Sequence, residues 1–131
     1  MGWDPIREVY AVYMENCGHQ RCPVGKRLIG RSESPDLIHW TTPDTVLVPD
    51  ETDGQGVEPY ALHPCVYEDL YVGYVWIHTL AKHDHYPQLV FSRDGSRWDR
   101  RYREPCMQRG TLPAFDGNSV LPLKPIAHLQ A

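Results

Sequence analysis

Residues 32–40, Ser-Glu-Ser-Pro-Asp-Leu-Ile-His-Trp, decide the fold, because a second version, Ser-Arg-Asp-Gly-Ser-Arg-Trp, follows at residues 92–98. The serine, aspartate and tryptophan of the first copy recur in the second at one constant spacing. Serine and aspartate side chains close turns by hydrogen bonding to nearby backbone amides, and proline fixes its own φ. The stretch therefore predicts a turn that the chain builds twice, each time followed by a tryptophan.

The repeat extends to both sides of the two turns. Two tyrosines precede each turn at matching positions: Tyr10 and Tyr13 before the first, Tyr71 and Tyr74 before the second. Downstream, a pattern of Asp-Gly, two variable residues, Val, one variable residue and Pro occurs at residues 53–59 and again at 116–122. Three landmarks in one order define an internal repeat. It divides the chain into a first unit (1–56), whose first strand is predicted to be missing, a second unit (57–115) and the truncated start of a third (116–131).

Strand-forming segments, rich in β-branched and aromatic residues, follow the same order in both units. In the first unit we predict strands at residues 8–15, 26–34 and 45–48, with Trp40 opening the last. In the second unit we predict them at 57–62, 65–67, 70–78 and 88–92, with Trp98 opening another. The 12 prolines and 10 glycines leave almost no window for a helix of ordinary length. The predicted fold class is all β.

Units of roughly 60 residues, each a run of antiparallel strands with a turn and a tryptophan, are typical of β-propeller blades. The tryptophan ring is expected to pack between neighbouring units. A closed propeller takes roughly four to eight blades, and this chain supplies about two four-stranded antiparallel ones. The sequence therefore predicts a piece of a larger propeller, whose missing blades are its expected partners. Alone, the chain is expected to be poorly soluble, because open blades leave strand edges and an apolar face in water.

Composition places the chain among ordinary soluble proteins, with 41% hydrophobic and 23% charged residues. A net charge of -4 gives no basic footprint, so no nucleic acid partner is expected. Basic residues cluster at Arg97, Arg100, Arg101 and Arg103, but Asp94, Asp99 and Glu104 lie among them, which predicts a solvated strand or turn edge. The longest apolar run, residues 70–77, is too short to span a membrane. The start lacks a secretory signal pattern, which predicts the cytoplasm by default, or secretion if the natural amino terminus is truncated.

Three phrases carry a resemblance to a known class of enzymes. They are Trp-Asp-Pro-Ile-Arg-Glu-Val-Tyr-Ala-Val-Tyr (residues 3–13), Ile-Gly-Arg-Ser-Glu-Ser-Pro-Asp-Leu-Ile-His-Trp (29–40) and Ser-Arg-Asp-Gly-Ser-Arg-Trp (92–98). This chain resembles the five-bladed propellers of the family 32 and family 43 glycoside hydrolases over most of residues 3–117. The resemblance implies a five-bladed fold, carbohydrate as ligand, no cofactor, and action on glycosidic bonds by carboxylates around a central funnel. The family 32 markers are absent, and a complete catalytic set is not present in this chain.

Glu58 is the candidate catalytic residue, as a general acid or a sugar ligand. The innermost strand of such a blade follows the long loop from the preceding blade, which places residues 57–62 near the axis. Leu121 occupies the equivalent position in the repeat, so the fold itself does not require an acid at Glu58. The alternative is an exposed acid at a loop edge. The candidates for stacking on a sugar or hydrogen bonding to it are Tyr60, Trp76 and His78, whose alternative role is core packing.

Cysteines and histidines indicate an alternative site, for a metal, in two loops that are expected to lie on the same rim of the propeller. Cys17 and Cys22 lie in one hairpin loop, and His83 and His85 in the matching loop of the next unit. Two thiolates and two imidazoles would satisfy tetrahedral zinc, although the arrangement matches no standard zinc finger. Alternatively, the two cysteines form a small disulfide if the protein is exported.

Three functions therefore remain open from the sequence. The first is a glycoside hydrolase or a part of one, and the second is a non-catalytic carbohydrate-binding or scaffold propeller. The third is a zinc-binding module at the rim. A sialidase-like repeat is a further possibility for the fold, although neither turn has the residue spacing of the Asp-box that marks those proteins.

Overall fold

The computed structural model of the chain describes residues 2–16 and 27–123. Within these residues there are seven strands and no helix, arranged as two antiparallel sheets that do not close into a ring. The first sheet has the order β1 (Gly2–Asp4), β2 (Val9–Glu15), β3 (Ile29–Ser34) and β4 (Asp44–Leu47). The second has the order β5 (Val57–Tyr67), β6 (Leu70–Thr79) and β7 (Asp84–Ser92). The prediction of an all-β fold is confirmed for the described part of the chain.

The central hairpins of the two sheets, β2–β3 and β6–β7, have the same register. Tyr10 lies opposite Ser34 in the first hairpin, and Tyr71 lies opposite Ser92 in the second. The next equivalent pairs, Tyr13 with Arg31 and Tyr74 with Leu89, also match. Because strand register decides which face each side chain occupies, equivalent residues of the two units lie on equivalent faces. The repeat read from the sequence is therefore a repeat of structure.

The first predicted turn is held by the side chain of Asp36. Its Oδ1 atom accepts hydrogen bonds from the backbone amides of Ile38 and His39, at 2.9 and 2.8 Å. These amides hold the pKa of Asp36 well below its usual range. Leu37 has a left-handed backbone (φ 65°), and its carbonyl accepts a hydrogen bond from Trp40 Nε1 at 3.1 Å.

The second turn repeats each of these contacts. Asp94 Oδ1 accepts the amides of Ser96 and Arg97 at 2.8 and 2.7 Å. Gly95 takes the left-handed position (φ 71°), and Trp98 Nε1 donates to its carbonyl at 3.2 Å. The predicted pair of equivalent turns is confirmed.

The hydrophobic core lies between the two sheets. Trp98 packs edge-to-face against Tyr13 of the first sheet and Tyr71 of the second, with ring centroids 5.9 and 6.3 Å apart. Trp98 therefore packs between neighbouring units as predicted, whereas Trp40 is 37% exposed. The buried aliphatic residues of this core are Ile29, Leu47, Leu62, Val75, Ile77 and Val90.

A buried polar network joins the sheets beside this core. Arg31 forms an ion pair with Asp4, and both side chains are almost fully buried. The hydroxyl of Tyr71 donates to Asp4 at 2.8 Å, and the hydroxyl of Tyr13 donates to the carbonyl of Gly95 at 2.7 Å. Arg31 also hydrogen bonds to the Tyr13 hydroxyl. Each buried charge is thus paired, as burial requires.

Three strand predictions need correction. Residues 57–67 form one continuous strand with a bulge at Tyr60, because β5 is an edge strand and an edge tolerates Pro64. Strand β7 begins at Asp84 rather than at residue 88. Neither Trp40 nor Trp98 opens a strand, since each ring folds back onto its own turn.

The second sheet consequently has three strands rather than the four predicted. The backbone after Trp98 adds only an isolated bridge between Asp99 and Phe91. The predicted solvated edge is also wrong for one of its arginines, because Arg100 is buried. Among the described residues, no helix is long and apolar enough to cross a membrane.

Candidate functional site

Glu58 lies near the start of β5, directly opposite His78 on β6. Its side chain is fully buried, with 0% exposure. The alternative that Glu58 is an exposed acid at a loop edge is therefore wrong. A buried carboxylate requires partners that compensate its lost hydration, and the surrounding residues supply them.

Arg27 is the main partner of Glu58. Its guanidinium forms an ion pair with the Glu58 carboxylate, and its backbone amide donates to the same carboxylate at 3.3 Å. Nδ1 of His78 lies 3.3 Å from Glu58 Oε1. Nε of Arg27 also lies 3.6 Å from a carboxylate oxygen of Glu15, at the end of β2. One guanidinium thus holds two carboxylates from two different sheets.

Tyr60 forms one wall of this site. The bulge in β5 interrupts the strand register at Tyr60, and the side chain is 39% exposed. The tyrosine ring lies 6.0 Å from the ring of His78 and 4.9 Å from that of His85, in both cases edge-to-face. The Arg27 guanidinium lies 5.2 Å from the Tyr60 centroid. The structure therefore brings together the predicted residues Glu58, Tyr60 and His78.

Trp76 lies further along the same face of β6. Its ring packs on His63, with centroids 4.4 Å apart, and its Nε1 donates to the carbonyl of Pro122 at 2.9 Å. These contacts engage Trp76 in packing against the segment that follows the second unit. Its indole N–H is thus occupied by the chain itself rather than offered to a ligand.

The histidines form a stack beside Glu58. The rings of His78 and His85 are nearly parallel (14°), with centroids 4.6 Å apart. Nδ1 of His85 lies 3.2 Å from the hydroxyl of Ser119, which leaves Nε2 buried without a hydrogen-bond partner among the described residues. Burial lowers the pKa of His85, and the neighbouring His78 lowers it further.

The predicted zinc site needs a correction in its geometry. His85 lies in β7 rather than in a rim loop, while His83 occupies the preceding turn, 6.1 Å from His78 between ring centroids. In the described ranges no group of three or more His, Cys, Asp or Glu side chains is arranged to hold a metal. Cys17 and Cys22 lie outside the described residues, and so does their predicted disulfide.

Sequence reasoning missed Arg27, Glu15 and Ser119. Arg27 lies just upstream of β3, at the position equivalent to His85 in the second hairpin. The two repeats therefore differ in charge at this position, and that difference is the signal that could have identified Arg27. Ser119 is joined to His85 by a parallel bridge and belongs to the pattern at residues 116–122. Glu15 gives no such signal, because an acid at the end of a strand is ordinary.

Chemically, the cluster offers a partly exposed guanidinium, held by a buried carboxylate, beside a partly exposed aromatic ring. Comparison of the chain with protein families, with curated proteins and with solved structures finds no match in any of the three. Any functional assignment therefore rests on the geometry of the described residues.

Proposed function

We propose that the two sheets are blades of a β-propeller related to the family 32 and family 43 glycoside hydrolases, and that the Glu58 cluster binds carbohydrate. The equal register of the two hairpins, their equivalent turns and the packing of sheet on sheet support the blade interpretation. Strand β5 begins at the end of the long connection from the first sheet, which is where the innermost strand of a blade would begin.

The arrangement of Glu58, Arg27 and Tyr60 is the observation that carries this proposal. Sugars are bound by charged groups that hydrogen bond to their hydroxyls and by aromatic rings that cover their apolar C–H faces. Arg27 supplies a partly exposed guanidinium that the buried Glu58 carboxylate holds in place, and Tyr60 supplies a ring that solvent reaches. A buried ion pair held by neighbouring side chains is pre-organised, which lowers the ordering cost of binding.

Hydrolysis would require two carboxyl groups, one acting as acid and the other as base or nucleophile. Glu58 and Glu15 are the candidate pair, because both contact the guanidinium of Arg27. Glu15 is the more accessible of the two, with a side chain 46% exposed. A non-catalytic carbohydrate-binding or scaffold propeller is the alternative, in which the same residues bind but do not cleave.

Titration of the 131-residue chain with a panel of mono- and oligosaccharides, followed by NMR, tests binding. We expect shifts at Tyr60 and His78, and Tyr60→Ala is expected to weaken binding about tenfold, since an aromatic contact contributes about 0.5–1.5 kcal/mol and about 1.4 kcal/mol is tenfold in affinity. Tyr102→Ala, at a 60% exposed tyrosine outside the cluster, is the matched control. Failure of every saccharide to bind, or equal loss in both variants, would contradict the proposal.

Release of nitrophenol from nitrophenyl glycosides separates the enzyme from the binding module. In an enzyme, Glu15→Gln and Glu58→Gln each abolish turnover, whereas Glu51→Gln in the exposed loop leaves it unchanged. Binding without turnover in the unsubstituted chain supports the non-catalytic alternative. Zinc analysis of the purified protein tests the rim site, for which stoichiometric metal would favour the zinc-binding module.

A further inference from the structure

The contact between the second turn and the first sheet is the template for a second contact, which the described residues do not make within one chain. Residue 95 favours glycine, because its φ is 71° and a Cβ there would collide with Nη1 of Arg31 and lie 3.0 Å from the hydroxyl of Tyr13. Tyr13 and Arg31 lie opposite each other on the face of the first sheet that the second unit covers. Both side chains contact the Gly95 turn, and the Tyr13 hydroxyl donates a hydrogen bond to the Gly95 carbonyl.

Equivalent residues form an equivalent face on the second sheet. Tyr74 takes the place of Tyr13 and Leu89 that of Arg31, again as a directly opposed pair. Tyr67 of the second unit is equivalent to Asp4, the ionic partner of Arg31. Asp4 pairs with Val9 in the first sheet, and Tyr67 pairs with Leu70, the equivalent of Val9, in the second. The outer face of the second sheet, defined by Tyr67, Tyr74 and Leu89, is thus an apolar version of the ionic face of the first.

Among residues 2–16 and 27–123, the first turn has no counterpart of the contact that Tyr13 makes with the second turn. Leu37 stands where the second turn has Gly95 and is 45% exposed, and Trp40 stands where it has Trp98. Leu37 and Leu89 differ from their counterparts in complementary ways. Gly95 leaves room for a long arginine, whereas Leu37 adds an apolar side chain that a shorter, uncharged Leu89 can accommodate.

We propose that this chain associates head-to-tail with a second copy of itself, the first turn of one copy docking on the outer face of the second sheet of the next. In this contact Leu37 packs on Leu89, and the hydroxyl of Tyr74 donates to the Leu37 carbonyl, as the hydroxyl of Tyr13 donates to that of Gly95. The contact is heterologous, so each copy presents one of each surface. It buries Trp40 and Tyr67, large side chains whose exposure otherwise costs free energy.

Sedimentation velocity of the unsubstituted chain over a range of concentrations is the first test. We expect species larger than the monomer whose fraction grows with concentration. A monomer at every concentration would overturn the proposal. Phe115→Asp, at a fully exposed phenylalanine outside both surfaces, is the control and is expected to associate like the unsubstituted chain. Loss of association in this control as well would mean unspecific apolar aggregation and would also overturn it.

Mixing two variants tests the head-to-tail geometry. Leu37→Asp spoils one surface and Leu89→Asp the other, so each variant alone is expected to be monomeric. Their equimolar mixture retains one intact surface of each kind and is expected to form a dimer. A mixture that stays monomeric contradicts the proposal, and a variant alone that still dimerises does so too.

A gentler substitution guards against misfolding of the charged variants. Leu37→Gly suits the left-handed backbone at this position and so preserves the turn. It removes the docking side chain and is expected to weaken association about tenfold, the effect of losing a buried leucine contact. Near-ultraviolet circular dichroism of the tryptophans checks the fold. Unchanged association of a folded Leu37→Gly protein would count against the proposed contact.

Discussion

Arg100 and Asp53 form a buried bidentate ion pair, with both nitrogen–oxygen distances 2.9 Å and both side chains 4% exposed. Asp53 belongs to the loop between the two sheets, and Arg100 to the segment after the second turn. The oxygen of Gln88 accepts a further hydrogen bond from Arg100 at 3.0 Å. Asp53 Oδ2 also accepts the backbone amide of Asp50 at 2.9 Å, so the residue both forms its turn and anchors the loop to the second sheet.

Replacing Arg100 by methionine is expected to destabilise the fold by less than the about 3–5 kcal/mol of a fully unpaired buried charge, because the Asp53 carboxylate loses its bidentate partner but keeps Arg103 at 3.1 Å. Urea denaturation at neutral pH measures the change. Arg101→Met is the control, since Arg101 is exposed and pairs with Asp99 on the surface, where such pairs contribute little. Equal effects of the two substitutions would mean that the buried pair does not anchor the loop.

The Asp94 turn is expected to lose its contribution to stability in acid. The backbone amides of Arg97 and Ser96 lower the pKa of Asp94 below its ordinary value of 3.8. A carboxyl whose folded pKa is depressed stabilises the fold above its unfolded pKa, and this contribution disappears as the pH falls through the folded pKa. Asp94→Ala should therefore cost about 1 kcal/mol at pH 7 and less near pH 2. Urea denaturation at both pH values measures this; a pH-independent cost would contradict it.

Gly95→Ala is expected to destabilise the fold by more than about 1 kcal/mol, because the new Cβ meets Arg31 and the residue has a positive φ. Thermal unfolding followed by near-ultraviolet circular dichroism measures the loss. Gly54→Ala provides the comparison, since a Cβ at residue 54 meets only Val57, at 3.6 Å. If Gly95→Ala left the stability unchanged, the packing of Arg31 and Tyr13 against the second turn would not be tight.

The buried tyrosines are expected to resist ionisation in the folded protein. Burial raises the pKa of Tyr13 to about 12, and burial together with hydrogen bonding to Asp4 raises that of Tyr71 further. Because both folded pKa values exceed the unfolded value, the two tyrosines make their full contribution to the free energy of unfolding below about pH 10. This contribution is lost as the pH rises beyond it. Absorbance of tyrosinate should therefore show tyrosines, Tyr13 and Tyr71 among them, that ionise at a higher pH than exposed tyrosines do. Tyr13→Phe and Tyr71→Phe should each remove one of them.

Local sequence predicted much of the fold, because turns and strand alternation depend on neighbouring residues. The Asp36 and Asp94 turns were identifiable from three side chains each. The continuity of β5 through Pro64 was not, since a proline is acceptable only if the strand lies at an edge, and edge position is a property of the whole sheet. Likewise, the start of β7 at Asp84 depends on pairing with Thr79.

The candidate site was predicted only in part, for a related reason. Glu58 emerged because it breaks the repeat, and Tyr60 and His78 because their rings could stack on a sugar or hydrogen bond to it. Arg27 lies far from them in the chain and reaches Glu58 only through the packing of one sheet on the other. Burial of Glu58 follows from that packing, which no single segment encodes.

The polar network between the sheets also constrains how the protein is made. Asp4 receives the hydroxyl of Tyr71, and Tyr13 donates to the carbonyl of Gly95, so residues translated first are completed by residues translated much later. At roughly 5–20 residues per second, the residues of the second unit are synthesised several seconds after those of the first sheet. Until then the first sheet lacks the hydrogen bond from Tyr71 to Asp4 and the one from Tyr13 to Gly95.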